Sequence, residues 1–89
     1  MVNPKEIMKL KKGNKIKING RTFKIKDKEF HKAQDKFDQD VTRFELGNNF
    51  VLEFTGDSPA FFQIIEKKGW FGFTSGRSKY EDIKKIQII

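Results

Sequence analysis

The sequence predicts a mainly β protein (α+β), a small SH3-like or OB-like antiparallel barrel or half-barrel with a short N-terminal helix. Three observations predict this class. The segment "KIKINGRTFKIK" alternates apolar and basic residues, ten phenylalanines occur in 89 residues, and the apolar runs recur about every ten residues. A chain of this length is expected to form one domain, residues 1–89, around a single core.

Residues from about 4 to 12 are predicted to form the helix. Asn3 can cap the first turn, a proline follows it, and Gly13 can end the helix in a left-handed conformation. Because about nine residues do not make a stable isolated helix, its apolar side chains must dock on the rest of the fold. The side chains expected to dock are Ile7 and Leu10.

Strands are predicted from about residue 15, and the first two form a hairpin. Asn-Gly is the strongest signal for a two-residue type I′ turn, so Asn19-Gly20 places Lys15 opposite Lys24. One face of the hairpin is then apolar and is expected to be buried, with Ile16, Ile18, Phe23 and Ile25. The other face carries Thr22 and four lysines: Lys15, Lys17, Lys24 and Lys26.

The middle of the chain continues the strand pattern. Residues 27–40 are polar and acidic, which predicts the end of a strand followed by a loop. Residues 41–57 predict a second hairpin across a Gly47-Asn48-Asn49 turn. Residues 59–68 carry both helix and strand signals, and the spacing of the hairpins favours a strand.

The C-terminal part is predicted to contain two further strands. "GWFGFTSGR" predicts a strand that closes in a Ser75-Gly76 turn. A short helical turn is expected at residues 80–83, followed by a final strand at residues 86–89.

Charge is distributed unevenly along the chain, whose net charge is +7. Residues 1–32 carry eleven Lys and Arg against three acidic residues, residues 33–66 carry two against seven, and residues 67–89 carry six against two. This pattern predicts a polarised molecule, as a polyanion-binding face would produce. The alternative is a lysine-rich composition without a functional meaning.

Catalytic and metal-binding residues are scarce, and we expect no enzyme activity, no metal and no cofactor. The chain has no cysteine, and its single histidine, His31, lies in a polar stretch without a Gly-x-Ser-x-Gly turn. No Walker loop is present. Asp38-x-Asp40 begins like a calcium loop, but Arg43 and Asn49 replace the glycine and glutamate that such a loop requires.

The chain has no apolar run near the roughly 18 residues that would cross a bilayer. Its first residues also lack the apolar core of a secretory signal. We therefore expect no membrane insertion and a cytoplasmic location.

Residues 67–74 combine basic, glycine and aromatic residues. Lys68-Gly69 and Phe71-Gly72-Phe73 resemble the ribonucleoprotein strand motif of RNA-recognition and cold-shock domains, with Trp70 inserted between the two parts. The resemblance implies that Lys68, Trp70, Phe71 and Phe73 contact nucleic acid, with rings stacked on bases. The alternative is that Phe71 and Phe73, which share one face of a strand, fill the core of a small barrel.

A second resemblance covers residues 13–68. A glycine-bounded hairpin is followed by "RFEL" at residues 43–46 and by "NFVLE" at residues 49–53. This order resembles a widespread prokaryotic family of small β-domains of unknown function. The resemblance implies a β fold and no catalytic residues.

The lysine face is the strongest indication of function. Lys15 opposite Lys24 is an unfavourable like-charge pair, and a bound phosphate backbone would convert this repulsion into counterion release. The sequence therefore predicts a module that binds RNA or single-stranded DNA, to which Lys79, Lys84 and Lys85 contribute less. The alternative is a protein-interaction or assembly module, whose lysines only form a solvated outer face.

Overall fold

A computed structural model describes residues 3–65 and 78–89. Within these ranges the chain forms one helix and eight strands. In order they are α1 (Pro4–Met8), β1 (Lys15–Ile18), β2 (Arg21–Lys24), β3 (Asp27–His31), β4 (Val41–Glu45), β5 (Phe50–Thr55), β6 (Ser58–Ile64), β7 (Ser78–Glu81) and β8 (Ile86–Ile88). The predicted strand that closes in the Ser75-Gly76 turn lies outside the described residues.

The described strands form two antiparallel sheets, in the orders β2-β1-β8 and β3-β4-β5-β6-β7. The predicted mainly β class with a short helix is confirmed, but these strands do not form a closed barrel. The division arises because the chain changes partners after β2. Ile25 N–H donates to the Asn14 carbonyl at 2.8 Å, next to β1, whereas Lys26 N–H donates to the Glu45 carbonyl of β4 at 2.7 Å.

Helix α1 begins as predicted and ends early. The Asn3 side chain accepts the Lys5 N–H at 2.9 Å. The Lys11 N–H donates to the Asn14 side chain at 2.7 Å, which removes a donor that would extend the helix. The predicted end near residue 12 is therefore wrong, and α1 ends at Met8. No helix in the described ranges has the length and apolarity needed to span a bilayer.

The first hairpin has the predicted register, with Lys15 opposite Lys24 and Ile16 opposite Phe23. Asn19 and Gly20 have φ values of 50° and 84°, as a type I′ turn requires. Ile16 and Phe23 are buried, as predicted for the apolar face, and Lys15 shares the other face with Lys24.

The second hairpin and the following strand are also confirmed. Phe44 on β4 lies opposite Leu52 on β5, across the turn that contains Gly47. Residues 58–64 form β6, the strand that the hairpin spacing favoured.

The predicted helical turn at residues 80–83 is wrong, because Tyr80 belongs to β7 and lies opposite Phe62 on β6. Pairing along the edge of the five-stranded sheet overrides the local preference. The final strand is confirmed as β8.

A single cluster of buried side chains connects α1 and both sheets. Phe23 packs on Phe50 and Phe61, with ring centroids 5.3 and 5.8 Å apart. Ile7 of α1 is part of the cluster and Leu10 packs at its edge, as expected. The cluster contains Ile7, Ile16, Ile18, Phe23, Ile25, Phe44, Leu46, Leu52, Phe54, Phe61 and Ile86.

Candidate functional site

The outward side of the three-stranded sheet carries most of the predicted lysines. Strand β1 lies between β2 and β8, and Ile16, Lys17 and Ile18 have a partner in both. Directly opposed residues point to the same face of a sheet. Lys15 lies opposite Lys24, and Lys17 lies between Thr22 on β2 and Gln87 on β8.

Asn19 fixes residues 82–85 beside the tip of the first hairpin. Its N–H donates to the Lys85 carbonyl at 2.8 Å. Its side-chain oxygen accepts the N–H of Lys84 at 2.7 Å and that of Lys85 at 3.1 Å, and its side-chain amide donates to the Asp82 carbonyl at 2.7 Å. Ile86 faces the core, so alternation along the strand directs the preceding residue, Lys85, outward.

We define the basic face as the outward surface of β2, β1 and β8, formed by Lys15, Lys17, Thr22, Lys24, Lys85 and Gln87. All of these residues are cationic or neutral. In residues 3–65 and 78–89, the ion pairs within 4.0 Å are Arg21 with Glu81 and His31 with Asp38. No described carboxylate therefore lies within 4.0 Å of the ammonium groups of these lysines.

Lys15 and Lys24 form a like-charge pair across the first hairpin. Directly opposed residues have Cβ atoms about 4.5–5.5 Å apart, and like charges at such positions destabilise the sheet. The described residues supply no acid on this face to offset that repulsion. An anion placed between the two ammonium groups would remove the repulsion between Lys15 and Lys24. Binding of a negatively charged ligand would therefore also stabilise the folded protein.

Two other cations of the hairpin are directed elsewhere. Lys26 lies where the chain enters the five-stranded sheet, and its side chain packs on Gly47: a Cβ there would lie 2.8 Å from Lys26 Cε. Arg21 lies on the inner side, 5.3 Å from the Phe50 ring centroid and 3.8 Å from Glu81. Three of the four predicted hairpin lysines thus share the basic face, and Lys26 lies beside the β4–β5 turn.

The other predicted contact residues, Lys68, Trp70, Phe71 and Phe73, lie outside the described residues. Their role in stacking or in the core stays a prediction.

The five-stranded sheet has the opposite charge on its outward side. Its inward side carries core residues such as Phe44 and Leu52, and the alternating positions lie on the other side, where Val51 and Phe62 are also buried. Those positions hold one arginine, Arg43, and four carboxylates: Asp27, Glu29, Glu45 and Glu53. In the described strands, the expected polarity of the molecule is therefore a difference between the two sheets.

His31, the last residue of β3, forms a hydrogen bond with the loop between β3 and β4. His31 Nε2 lies 2.8 Å from Asp38 Oδ2, and this hydrogen bond is the main cause that lowers the pKa of Asp38. Backbone N–H groups of Gln39 and Gln34 lower the pKa of the same carboxyl further. Among the residues that the structure describes, no group of three or more His, Cys, Asp and Glu side chains is placed to hold a metal ion.

Lys85 is the residue that sequence reasoning missed. The expectation that it contributes little no longer follows, because it shares the face of Lys15 and Lys17. Its only sequence signal was the alternation in residues 85–88, which repeats the basic and apolar order of β1. Alternation predicts that these residues form a strand, but it does not predict which strand they pair with. The pairing of β8 with β1 therefore could not be predicted from it.

Comparison of the chain with protein-family models, curated proteins and solved structures gave no significant match. The resemblances to the ribonucleoprotein motif and to the family of small β-domains therefore stay predictions.

Proposed function

We propose that this protein is a non-enzymatic module that binds RNA or single-stranded DNA through its basic face. The observation that carries the proposal is a surface of three adjacent strands with four lysines and no acidic residue. Lysines that neutralise phosphates release counterions, and this term supplies most sequence-independent affinity. Because phosphate contacts position a nucleic acid without reading its bases, sequence dependence is weak.

The distribution of charge supports one orientation of the ligand. The acidic outward side of the five-stranded sheet repels a phosphate backbone, whereas the basic face attracts it. A polyanion that approaches this molecule is therefore steered to the three-stranded sheet. The module needs no cofactor for this activity, and we place it in the cytoplasm, where nucleic acid is abundant.

Two finer elements belong to the proposal. We propose that the two sheets are parts of an SH3-like or OB-like half-barrel, because the last strand, β8, pairs with the first, β1. We also propose that Lys68 adds charge to the phosphate contacts.

The test is the salt dependence of binding. The logarithm of affinity for a labelled RNA or single-stranded DNA should fall linearly with the logarithm of salt, with a slope of about −3 to −4 for four neutralised phosphates. Replacing Lys15, Lys17, Lys24 and Lys85 by Glu should abolish binding to every sequence. Each single replacement should flatten the slope by about one.

A matched control separates the basic face from net charge. Lys5, Lys32, Lys36 and Lys79 are exposed and lie outside this face, and their replacement by Glu changes the net charge by the same amount. The control should retain a slope within about one of the unmodified protein. Circular dichroism of both variants establishes that they are folded. Absence of binding to any RNA or DNA at low salt and micromolar protein would end the proposal.

A protein-interaction or assembly module is the second candidate. Strand β3 ends the five-stranded sheet in the described order, and Phe30 on it is 61% exposed beside a groove of about 380 Å³. A partner strand added to this edge would gain backbone hydrogen bonds and cover Phe30. If a second copy is that partner, Phe30→Ser should reduce self-association in sedimentation velocity, with nucleic-acid binding unchanged.

A further inference from the structure

We infer that the basic face recognises a chain of linked phosphates as such, so that a phosphate polymer without bases is a sufficient ligand. The inference rests on the proposed function and deepens it by naming the chemical group that is recognised. It follows from the side chains that the face offers, from those it lacks, and from their spacing.

The face has few groups that could read a base. Stacking needs an aromatic ring or a guanidinium plane, and neither occurs among its six residues. Arg21, the guanidinium of the same hairpin, lies on the inner side against Phe50 and Glu81. The Asn19 side-chain amide is occupied by hydrogen bonds to residues 82, 84 and 85. Thr22 and Gln87 are the neutral polar groups that remain.

The groups that dominate the face are lysine ammonium ions. An ammonium ion is a compact charge on a flexible stem, and it binds phosphate without the fixed two-point geometry of arginine. Four such groups favour a ligand with several negative charges, and they place little restriction on what joins those charges.

The lysines follow a staggered path across the sheet. Lys24 lies on β2, Lys15 and Lys17 lie on β1, and Lys85 immediately precedes β8. Strands are about 4.8 Å apart and alternate residues of one strand about 6.7 Å, so the path of Cα positions is roughly 20 Å long.

Path length distinguishes a chain from a single ion. One inorganic phosphate reaches the Lys15–Lys24 pair but cannot also reach Lys85 at the far end of the path. A chain contacts all four lysines, so affinity should rise steeply with the number of linked phosphates and level off once the chain spans the path.

The experiment is a competition at fixed low salt. A labelled single-stranded oligonucleotide of about 12 nucleotides, longer than the path even at the compact duplex rise of about 3.4 Å per nucleotide, is bound to the full chain. Its displacement is measured with the unlabelled oligonucleotide, with an abasic deoxyribose-phosphate oligomer of the same length, and with linear inorganic polyphosphate. Inorganic phosphate at equal total phosphate is the control for single-ion binding. The melting temperature of the protein is measured with each competitor.

The expected result is that the abasic oligomer competes within about threefold of the oligonucleotide, since no stacking is lost. Polyphosphate should compete as well and raise the melting temperature, whereas inorganic phosphate should do neither. Lys85→Glu should weaken the oligonucleotide and polyphosphate by the same factor, and Lys36→Glu should weaken neither. These two variants are single surface changes, so folding is retained.

Other results separate this inference from the proposed function. If the abasic oligomer and polyphosphate are weaker by more than about tenfold, bases carry the recognition: the inference fails and nucleic-acid binding stands. If polyphosphate binds and no nucleic acid does, the inference stands and the proposed function fails. If neither binds nor shifts the melting temperature, both fail.

Discussion

Asn19 and Lys85 bind each other in both directions: the Asn19 N–H donates to the Lys85 carbonyl at 2.8 Å, and the Asn19 side-chain oxygen accepts the Lys85 N–H at 3.1 Å. Asn19 also forms the turn of the first hairpin, where its φ is 50°. One side chain therefore couples a local turn to the distant strand β8. Through this contact the basic face acquires its fourth lysine.

Replacing Asn19 by Gly should destabilise the protein and leave the hairpin turn intact. Glycine adopts a positive φ readily, so the turn is preserved and only the side-chain hydrogen bonds to residues 82–85 are lost. We expect a loss of about 1–3 kcal/mol in the free energy of unfolding, measured by urea denaturation. The affinity for nucleic acid should fall as Lys85 loses its fixed position.

Asn48→Gly is the matched control, because Asn48 has a φ of 51° and lies exposed in the second hairpin turn. Its replacement should change stability by less than about 0.5 kcal/mol. Equal effects at the two asparagines would show that turn conformation, and not the contact with residues 82–85, accounts for the loss.

Replacing Lys24 by Glu should stabilise the fold and weaken binding at the same time. The change converts the pair with Lys15 from repulsive to attractive, which is worth about 0.2–1 kcal/mol at directly opposed sheet positions. The melting temperature at low salt should rise, and the gain should shrink as salt screens the pair. Lys32→Glu, in the β3–β4 loop, should change neither property. A lower melting temperature for Lys24→Glu would contradict the repulsion inferred between Lys15 and Lys24.

Phe71→Ala and Phe73→Ala decide between stacking and core positions. Stacking residues should weaken single-strand binding at little cost in stability, whereas core residues should each cost about 3–5 kcal/mol. Thermal melts and binding titrations of both variants are the measurements, and we expect the core result for at least one. Two reference variants give the stability changes expected of a core side chain and of an exposed one. Phe61→Ala removes a side chain that is 1% exposed, and Phe37→Ala removes one that is 86% exposed.

The carboxyl pKa of Asp38 should depend on His31. His31→Phe removes the hydrogen bond that lowers this pKa most, so the pKa should move up towards its ordinary value. The rise should be partial, because the N–H groups of Gln39 and Gln34 remain. Carboxyl chemical shifts followed by NMR during an acid titration measure it. An unchanged Asp38 pKa would show that the His31 contact is not formed in solution.

The same shift fixes the direction of a pH effect on the β3–β4 loop. A lowered pKa in the folded state stabilises the fold above the unfolded-state value of about 3.9, and this contribution is lost as the pH falls through the folded-state pKa. The Gln34 and Gln39 N–H groups donate to Asp38. Their hydrogen-exchange rates, each divided by the intrinsic rate at the same pH, should therefore rise as the pH falls. Exchange independent of pH after correction for the intrinsic rate would contradict this coupling.

The sequence by itself determined the features that depend on neighbouring residues. Asn19-Gly20 sets a two-residue turn, and strict alternation on either side then fixes both the register and the buried residues, such as Ile16 and Phe23. Asn3 and the following proline likewise begin α1, because capping needs only the next few backbone groups. These predictions held since the interactions that decide them lie within a few residues.

Only the tertiary structure decided which distant segments meet. Residues 80 and 81 belong to an edge strand because their backbone groups pair with β6. The chain passes from the first sheet to the second after Ile25 because the Lys26 N–H donates to the Glu45 carbonyl. Lys85 joined Lys15 and Lys17 because β8 pairs with β1 and Asn19 binds residues 82–85. Local preference does not specify such partners: they are selected by the burial of a common core and by the backbone groups left unpaired at each sheet edge.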